Sequence, residues 1–126
     1  MSDRTSGAVR ALRGATTFEL DDTEHVSDRV VELVTEMLGR NGVDHDDVIS
    51  VIFTATDELT CTFPAAAARR IGLGDVPLLC ARELAIEGAM PRCIRVLMHL
   101  STERSRDELR HVYLHEARTL RDDLPE

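Results

Sequence analysis

The stretch Val76 to Leu100, VPLLCARELAIEGAMPRCIRVLMHL, decides how the rest of the chain is read. It predicts a strand, a polar elbow and a second strand. The first apolar run ends in Cys80-Ala81-Arg82-Glu83, the bend Gly88-Ala89-Met90-Pro91 follows, and the second run is Cys93-Ile94-Arg95-Val96-Leu97-Met98. Arg95 is the one charge inside an otherwise apolar strand. A charge taken out of water is costly unless a partner or a ligand meets it. Two groups qualify here: the carboxylate of Glu83, and an anionic ligand.

Upstream, Ala8 to Phe18 alternates as a strand broken by Gly14, with Arg13 at the end of its apolar part. Asp21, Asp22 and Thr23 offer N-cap oxygens. Val26, Val30, Leu33, Val34, Met37 and Leu38 then recur at helical spacing, and Asn41-Gly42 is a stop signal. This predicts one long amphipathic helix that carries no chemistry, with His25 and His45 solvated near its ends. Val48 to Ala55, VISVIFTA, reads as a buried central strand. Pro64 opens a second helix, PAAAARRIG, closed by Gly72. Phe63 precedes that helix. Arg69 and Arg70 lie in its later turns, where arginines ordinarily complement the helix dipole.

Downstream, Ser105 and Glu108 have capping-box spacing for a helical turn. His111 to Leu114 reads as a last short strand, and Arg118 to Glu126 as a charged tail. The order β, α, β, α, β, β, turn, β gives an α+β (mixed α/β) fold with about five strands and two main helices. Residues 1–7 are expected to be disordered and 8–126 to form one domain, its tail flexible from about residue 117. Both helices are expected on one face of the sheet. The other face, built from largely apolar strands, then needs a partner, so a homo-oligomer is expected.

Composition narrows the function classes. A chain of 126 residues suits a single core. Net charge is −8, which argues against nucleic acid and anionic membranes as partners. No apolar run is long enough to span a bilayer. The N-terminus MSDRTSGAVRALRG has no continuous apolar stretch of the secretory kind. Cys61, Cys80 and Cys93 are odd in number and lack CxxC spacing, as expected of free thiols in the cytoplasm. There is no lysine, so only the position of an arginine carries information. His111 and His115 are four apart, but HVYL reads as strand and no third metal ligand is evident. No phosphate loop and no GxSxG occurs, and no histidine is placed to activate Cys80. Arg13, Arg95, Glu83 and Tyr113 remain. They support an arginine-lined site for a small carboxylate.

Ordered pieces of the sequence resemble one family. Arg10-Ala-Leu-Arg-Gly-Ala-Thr-Thr17 is similar to the opening RGATT strand of the monofunctional chorismate mutases of the AroH class. So are Ser50 to Asp57 followed by Phe63-Pro64-Ala65, Val76-Pro77, Cys80 with Glu83, Cys93-Ile94-Arg95-Val96, Arg110-His111-Val112-Tyr113-Leu114, and Leu120-Arg121-Asp122-Asp123-Leu124. The pieces span residues 9 to 124 in family order.

The resemblance implies a homotrimeric pseudo-barrel with active sites between subunits. It implies the concerted [3,3] rearrangement of chorismate to prephenate in aromatic amino acid biosynthesis, without metal or cofactor. By resemblance, Arg95 reaches the breaking ether oxygen and the side-chain carboxylate, which Arg13 and Tyr113 also hold. Glu83 with Cys80 contacts the ring hydroxyl, and backbone of Leu79, Cys80, Ala81, Arg82 and Glu83 lines the ring. Phe63 and Arg69 come from the other wall of the cleft, and Arg121 from the tail. Two positions depart from the family pattern: Ala66 stands where a basic residue is common, and Leu79 where a hydroxyl is expected. A carboxylate-binding module and an enamine/imine deaminase of similar architecture are the alternatives. A pure binder has no use for Glu83 facing a ring.

Overall fold

The computed structural model describes residues 7–120. Five strands form one mixed sheet: β1 Ala8–Thr17, β2 Val48–Ala55, β3 Leu78–Arg82, β4 Cys93–Thr102 and β5 Val112–Tyr113. Their spatial order is β3-β2-β4-β1-β5. The opening stretch is not a hairpin, because β2 lies between its two strands. β2 runs parallel to β3 and antiparallel to β4, and β1 runs antiparallel to β4 and parallel to β5. The long Arg95 strand is therefore the middle of the sheet, and β2, expected there, is its neighbour.

Helix α1, Thr23–Arg40, starts where the Asp22 carboxylate accepts the His25 N–H at 3.0 Å. It ends at Asn41, and Gly42 follows with φ 60°, a conformation that favours glycine. Helix α2, Pro64–Ala68, is shorter than the sequence implies. Residues Arg69–Leu73 continue it as a wider turn that breaks at Gly72, φ 99°. Ser105 closes its turn as the spacing predicts, its N–H donating to the Glu108 carboxylate at 2.7 Å.

Both helices pack on one face of the sheet. There Leu12 of β1, Phe53 of β2 and Ile94, Val96, Met98 and Leu100 of β4 meet Val30, Leu33 and Met37 of α1 and the alanines of α2. Fully burying one such Leu, Phe or Met contributes about 1.5–3 kcal/mol. Gly14 lets α1 approach: a Cβ at that position would stand 2.5 Å from Met37 Sδ. β2 carries a bulge between Val48 and Ser50, which hands the pleat on so that Val51, Phe53 and Ala55 face the core. Ser50, Ile52 and Thr54 therefore face the other way.

On that second face lie Arg13, Ala15, Ile52, Thr54, Arg95, Leu97 and His99, by strand alternation. No helix among the described residues covers its centre. Only the turn His115–Leu120 folds over one edge, burying Tyr113 with Ala15, Ala117 and Leu120. Residues 117–120, expected to begin the tail, thus belong to a packed turn, because Ala117 fills the space beside Tyr113. The remaining tail, including Arg121, lies outside the described residues, as do residues 1–6.

Candidate active site

Strand register brings the chemistry into one line. Ala81, Thr54, Arg95, Ala15 and Tyr113 sit directly across from one another on five successive strands. The adjacent row on the same face is Leu79, Ile52, Leu97 and Arg13. Cross-strand neighbours are close enough for their side chains to touch. Residues far apart in sequence thereby become one surface, a groove of about 380 Å³ lined by Arg13, Ile52, Thr54, Arg95, Leu97 and Tyr113.

Glu83 closes one end of that row. Its N–H donates to Ala55 O at 2.9 Å, extending the β2–β3 ladder by one residue and keeping its side chain on the groove face. One carboxylate oxygen, Oε2, does two things. It lies 3.2 Å from Arg95 Nε, and it accepts the Thr54 hydroxyl. The Arg95 contact is an ion pair without hydrogen-bond alignment, since the enclosed Nε–H has no aligned acceptor among the described residues. The Arg95 side chain is 36% exposed, against 18% for Glu83. The carboxylate is thus the more enclosed partner, and the guanidinium reaches the groove.

Arg13 is exposed on the adjacent row, and its backbone N–H donates to His111 Nδ1 at 2.9 Å. Cys93, beside the pair, is fully buried. Burial pushes its thiol up to about 11; Arg95 opposes that shift and Glu83 reinforces it. A thiol held protonated is a poor nucleophile.

The remaining predicted residues stand elsewhere. Alternation along β3 puts Leu79 and Ala81 on the groove face and Cys80 and Arg82 on the other. Cys80 is therefore not brought to Glu83 within one chain. It lines a second groove of about 620 Å³ with Phe53, Leu59, Cys61, Phe63 and Arg82. Phe63 is 71% exposed at its rim. Arg82 Nη1 donates to Thr56 O at 2.6 Å and Leu59 O at 3.2 Å, so its side chain ties down the loop after β2. Arg69 is exposed where α2 gives way to the wider turn. Within one protomer the predicted site is two half-sites on opposite faces of β3.

Thr54 was not singled out by sequence reasoning. Its signal was present: in VISVIFTA the hydroxyls of Ser50 and Thr54 fall on one parity and Val51, Phe53 and Ala55 on the other. No group of three or more His, Cys, Asp or Glu able to hold a metal occurs among the described residues.

Known proteins resemble this chain over most of its length. The family model described as chorismate mutase type I matches residues 9–124. A chorismate mutase AroH of Thermus thermophilus is 49% identical over 117 residues, covering 92% of this chain and 96% of the relative. One from Bacillus subtilis (strain 168) is 37% identical over 117 residues, covering 92% of each. The solved structure of a chorismate mutase from Clostridium thermocellum superposes with a TM-score of 0.86 at 39% identity, covering 87% of this chain and 98% of that one.

Proposed function

We propose how this chain, which belongs to the type I chorismate mutase family and converts chorismate to prephenate, carries out that rearrangement. The observation that carries the reading is the Arg95–Glu83 pair, a cation and an anion 3.2 Å apart at one end of the row that lines the groove. A [3,3] rearrangement transfers no proton and forms no covalent intermediate with the enzyme. What the protein supplies is a compact conformer of a flexible dianion and stabilisation of charge that develops along the way.

In this reading the ether C–O bond breaks ahead of C–C bond formation. Negative charge grows on the ether oxygen, and the Arg95 guanidinium, already oriented by Glu83, faces it. Arg13 and Tyr113 hold the enolpyruvyl carboxylate together with Arg95, and folding the side chain over the ring follows from that grip. Glu83 stands toward the ring, where positive charge grows, and Thr54 fixes which of its oxygens faces inward. Backbone of Leu79, Ala81 and Arg82 lines the ring.

Residues Phe63, Arg69 and Cys80 complete the cleft from a neighbouring subunit, and Arg121 from the tail. We infer a homotrimer of one-domain subunits, residues 8–126. Two features support this: the half-sites occupy opposite faces of β3, and the groove face exposes Leu79 and Val9 at 60% and 66%. Three copies of a 14.0 kDa chain give about 42 kDa in solution. Three free cysteines support a reducing cytoplasm as the working compartment. No helix among the described residues is long and apolar enough to cross a membrane.

The test is loss of chorismate ultraviolet absorbance with purified protein, with and without a chelator, alongside mass in solution. Turnover independent of chelator at the trimer mass is expected. A monomer with full activity would remove the two-wall cleft.

A further inference from the structure

We propose that His111 is a positioning residue for this reaction: its imidazole stands in for a missing strand carbonyl and sets where Arg13 presents its guanidinium. The proposal rests on the reading of Arg13 as a substrate-carboxylate ligand.

β5 is only two residues long. It pairs with β1 at only two positions, Gly14 with Val112 and Ala15 with Tyr113. The next N–H of β1 toward that edge belongs to Arg13, and no strand residue meets it. The His111 ring does instead, Nδ1 accepting at 2.9 Å across 98 residues of sequence. That acceptor exists only in the neutral ring with its proton on Nε2, because imidazolium has two donors and no acceptor.

The ring is held rather than adventitious. His111 is 8% exposed. The residue before it is pinned on both sides by the buried Asn41 at the end of α1. Arg110 N–H donates to Asn41 Oδ1 at 2.7 Å, and Asn41 Nδ2 donates to Arg110 O at 2.9 Å. The Asn41-Gly42 helix stop thus also sets the approach of β5 to β1.

The surroundings keep the ring neutral. The groove it lines brings Arg10 and Arg13 from β1, His99 from β4 and Arg106 from the preceding turn, and no carboxylate among the described residues lines it. From α1 the neutral Asn41 side chain bonds the backbone of the adjacent Arg110. Burial first, and the Arg13 charge second, hold the His111 pKa below the ordinary histidine value. At neutral pH the acceptor is therefore present, and acid removes it.

The experiment measures KM and kcat for chorismate against pH, with wild type, His111→Ala and His111→Asn, whose side-chain oxygen can replace Nδ1. Wild-type KM is expected to rise on the acid side with little change in kcat. His111→Ala should raise KM about tenfold at neutral pH, the scale of one lost hydrogen bond. His111→Asn should return it to within about threefold and lose the acid rise, since an amide does not titrate. A wild-type KM that stays constant down to the pH of unfolding would overturn the proposal without recourse to any variant. So would an acid rise that survives in His111→Asn. The Arg13 amide resonance in an ¹⁵N spectrum separates the two layers. If it shifts with pH while KM does not, the proposal fails through the role given to Arg13. If it does not shift, the hydrogen bond itself is refuted.

Discussion

Arg95 Nε and Glu83 Oε2 lie 3.2 Å apart although β3 and β4 are not neighbours in the sheet. The side chains meet above β2, over Thr54, whose hydroxyl bonds the same carboxylate oxygen. A guanidinium oriented before substrate arrives needs no reorganisation when charge develops against it.

Replacing Arg95→Ala removes that preorganised donor. Turnover is expected to fall by roughly 10²–10³, the effect of deleting one such group. Steady-state loss of chorismate absorbance measures it. A variant within tenfold of wild type would take Arg95 out of the rate-determining charge balance.

In the proposed mechanism Thr54 acts through Glu83. Thr54→Val keeps the shape and deletes the hydroxyl, so the carboxylate is steadied by Arg95 alone. A kcat loss of about tenfold is expected, since hydrogen bonds to charged groups contribute about 1.5–3 kcal/mol and this one is part-exposed. Thr54→Ser should retain near-normal kcat; equal loss in both variants would point to packing instead.

Gly14 marks the closest approach of α1 to the sheet. Gly14→Ala places a methyl 2.5 Å from Met37 Sδ and 3.2 Å from Leu33 Cδ1, and Met37 is fully buried, so its side chain must shift within the core. Overpacking of this kind destabilises by about 1–3 kcal/mol. The urea midpoint reports it, and combining it with Met37→Ala should give less than the sum of the two losses. Additive losses would mean that the two side chains do not meet.

Cys93 is expected to resist thiol reagents in the native protein. It is wholly buried, and its thiol is pushed up to about 11. Titration with a disulfide reagent at pH 8 should leave this thiol unmodified until the chain is unfolded. Labelling of Cys93 at the rate of Cys61 or Cys80, both partly exposed, would contradict its place in the core.

Asp21 makes part of the fold acid-sensitive. Its Oδ1 accepts the Thr60 and Cys61 N–H groups at 3.0 and 3.1 Å, and Oδ2 accepts the Thr60 hydroxyl. These bonds, the Thr60 side chain foremost, lower its pKa from 3.8 to about 2. A carboxylate held below its unfolded value stabilises above that value, and the contribution is lost as pH falls from 3.8 through 2. Stability measured across that window should fall less steeply in Asp21→Asn. An unchanged slope would show that the tether carries no proton linkage.

Much of this molecule was legible one residue at a time. The alternation of Ala8 to Phe18, the helical spacing from Val26 to Leu38 and the Asp22 and Asn41 boundaries are local signals, and local geometry obeys them. Arg95 could be marked as a candidate site residue because a charge in an apolar strand demands a partner wherever that strand goes. The family pieces from Arg10 to Leu124 supplied the reaction. Other features are set by long-range pairing, which no local pattern encodes. The sheet order put β2 between the strands of the opening stretch. Register set Thr54, Arg95, Ala15 and Tyr113 in one row. Pleat parity turned Cys80 away from Glu83 and toward Phe63. The bond from Arg13 to His111 exists because β5 is two residues long and Asn41 fixes its approach. Which side chain meets which was thus decided by hydrogen-bond ladders between strands up to about a hundred residues apart, and those form only once the whole sheet does.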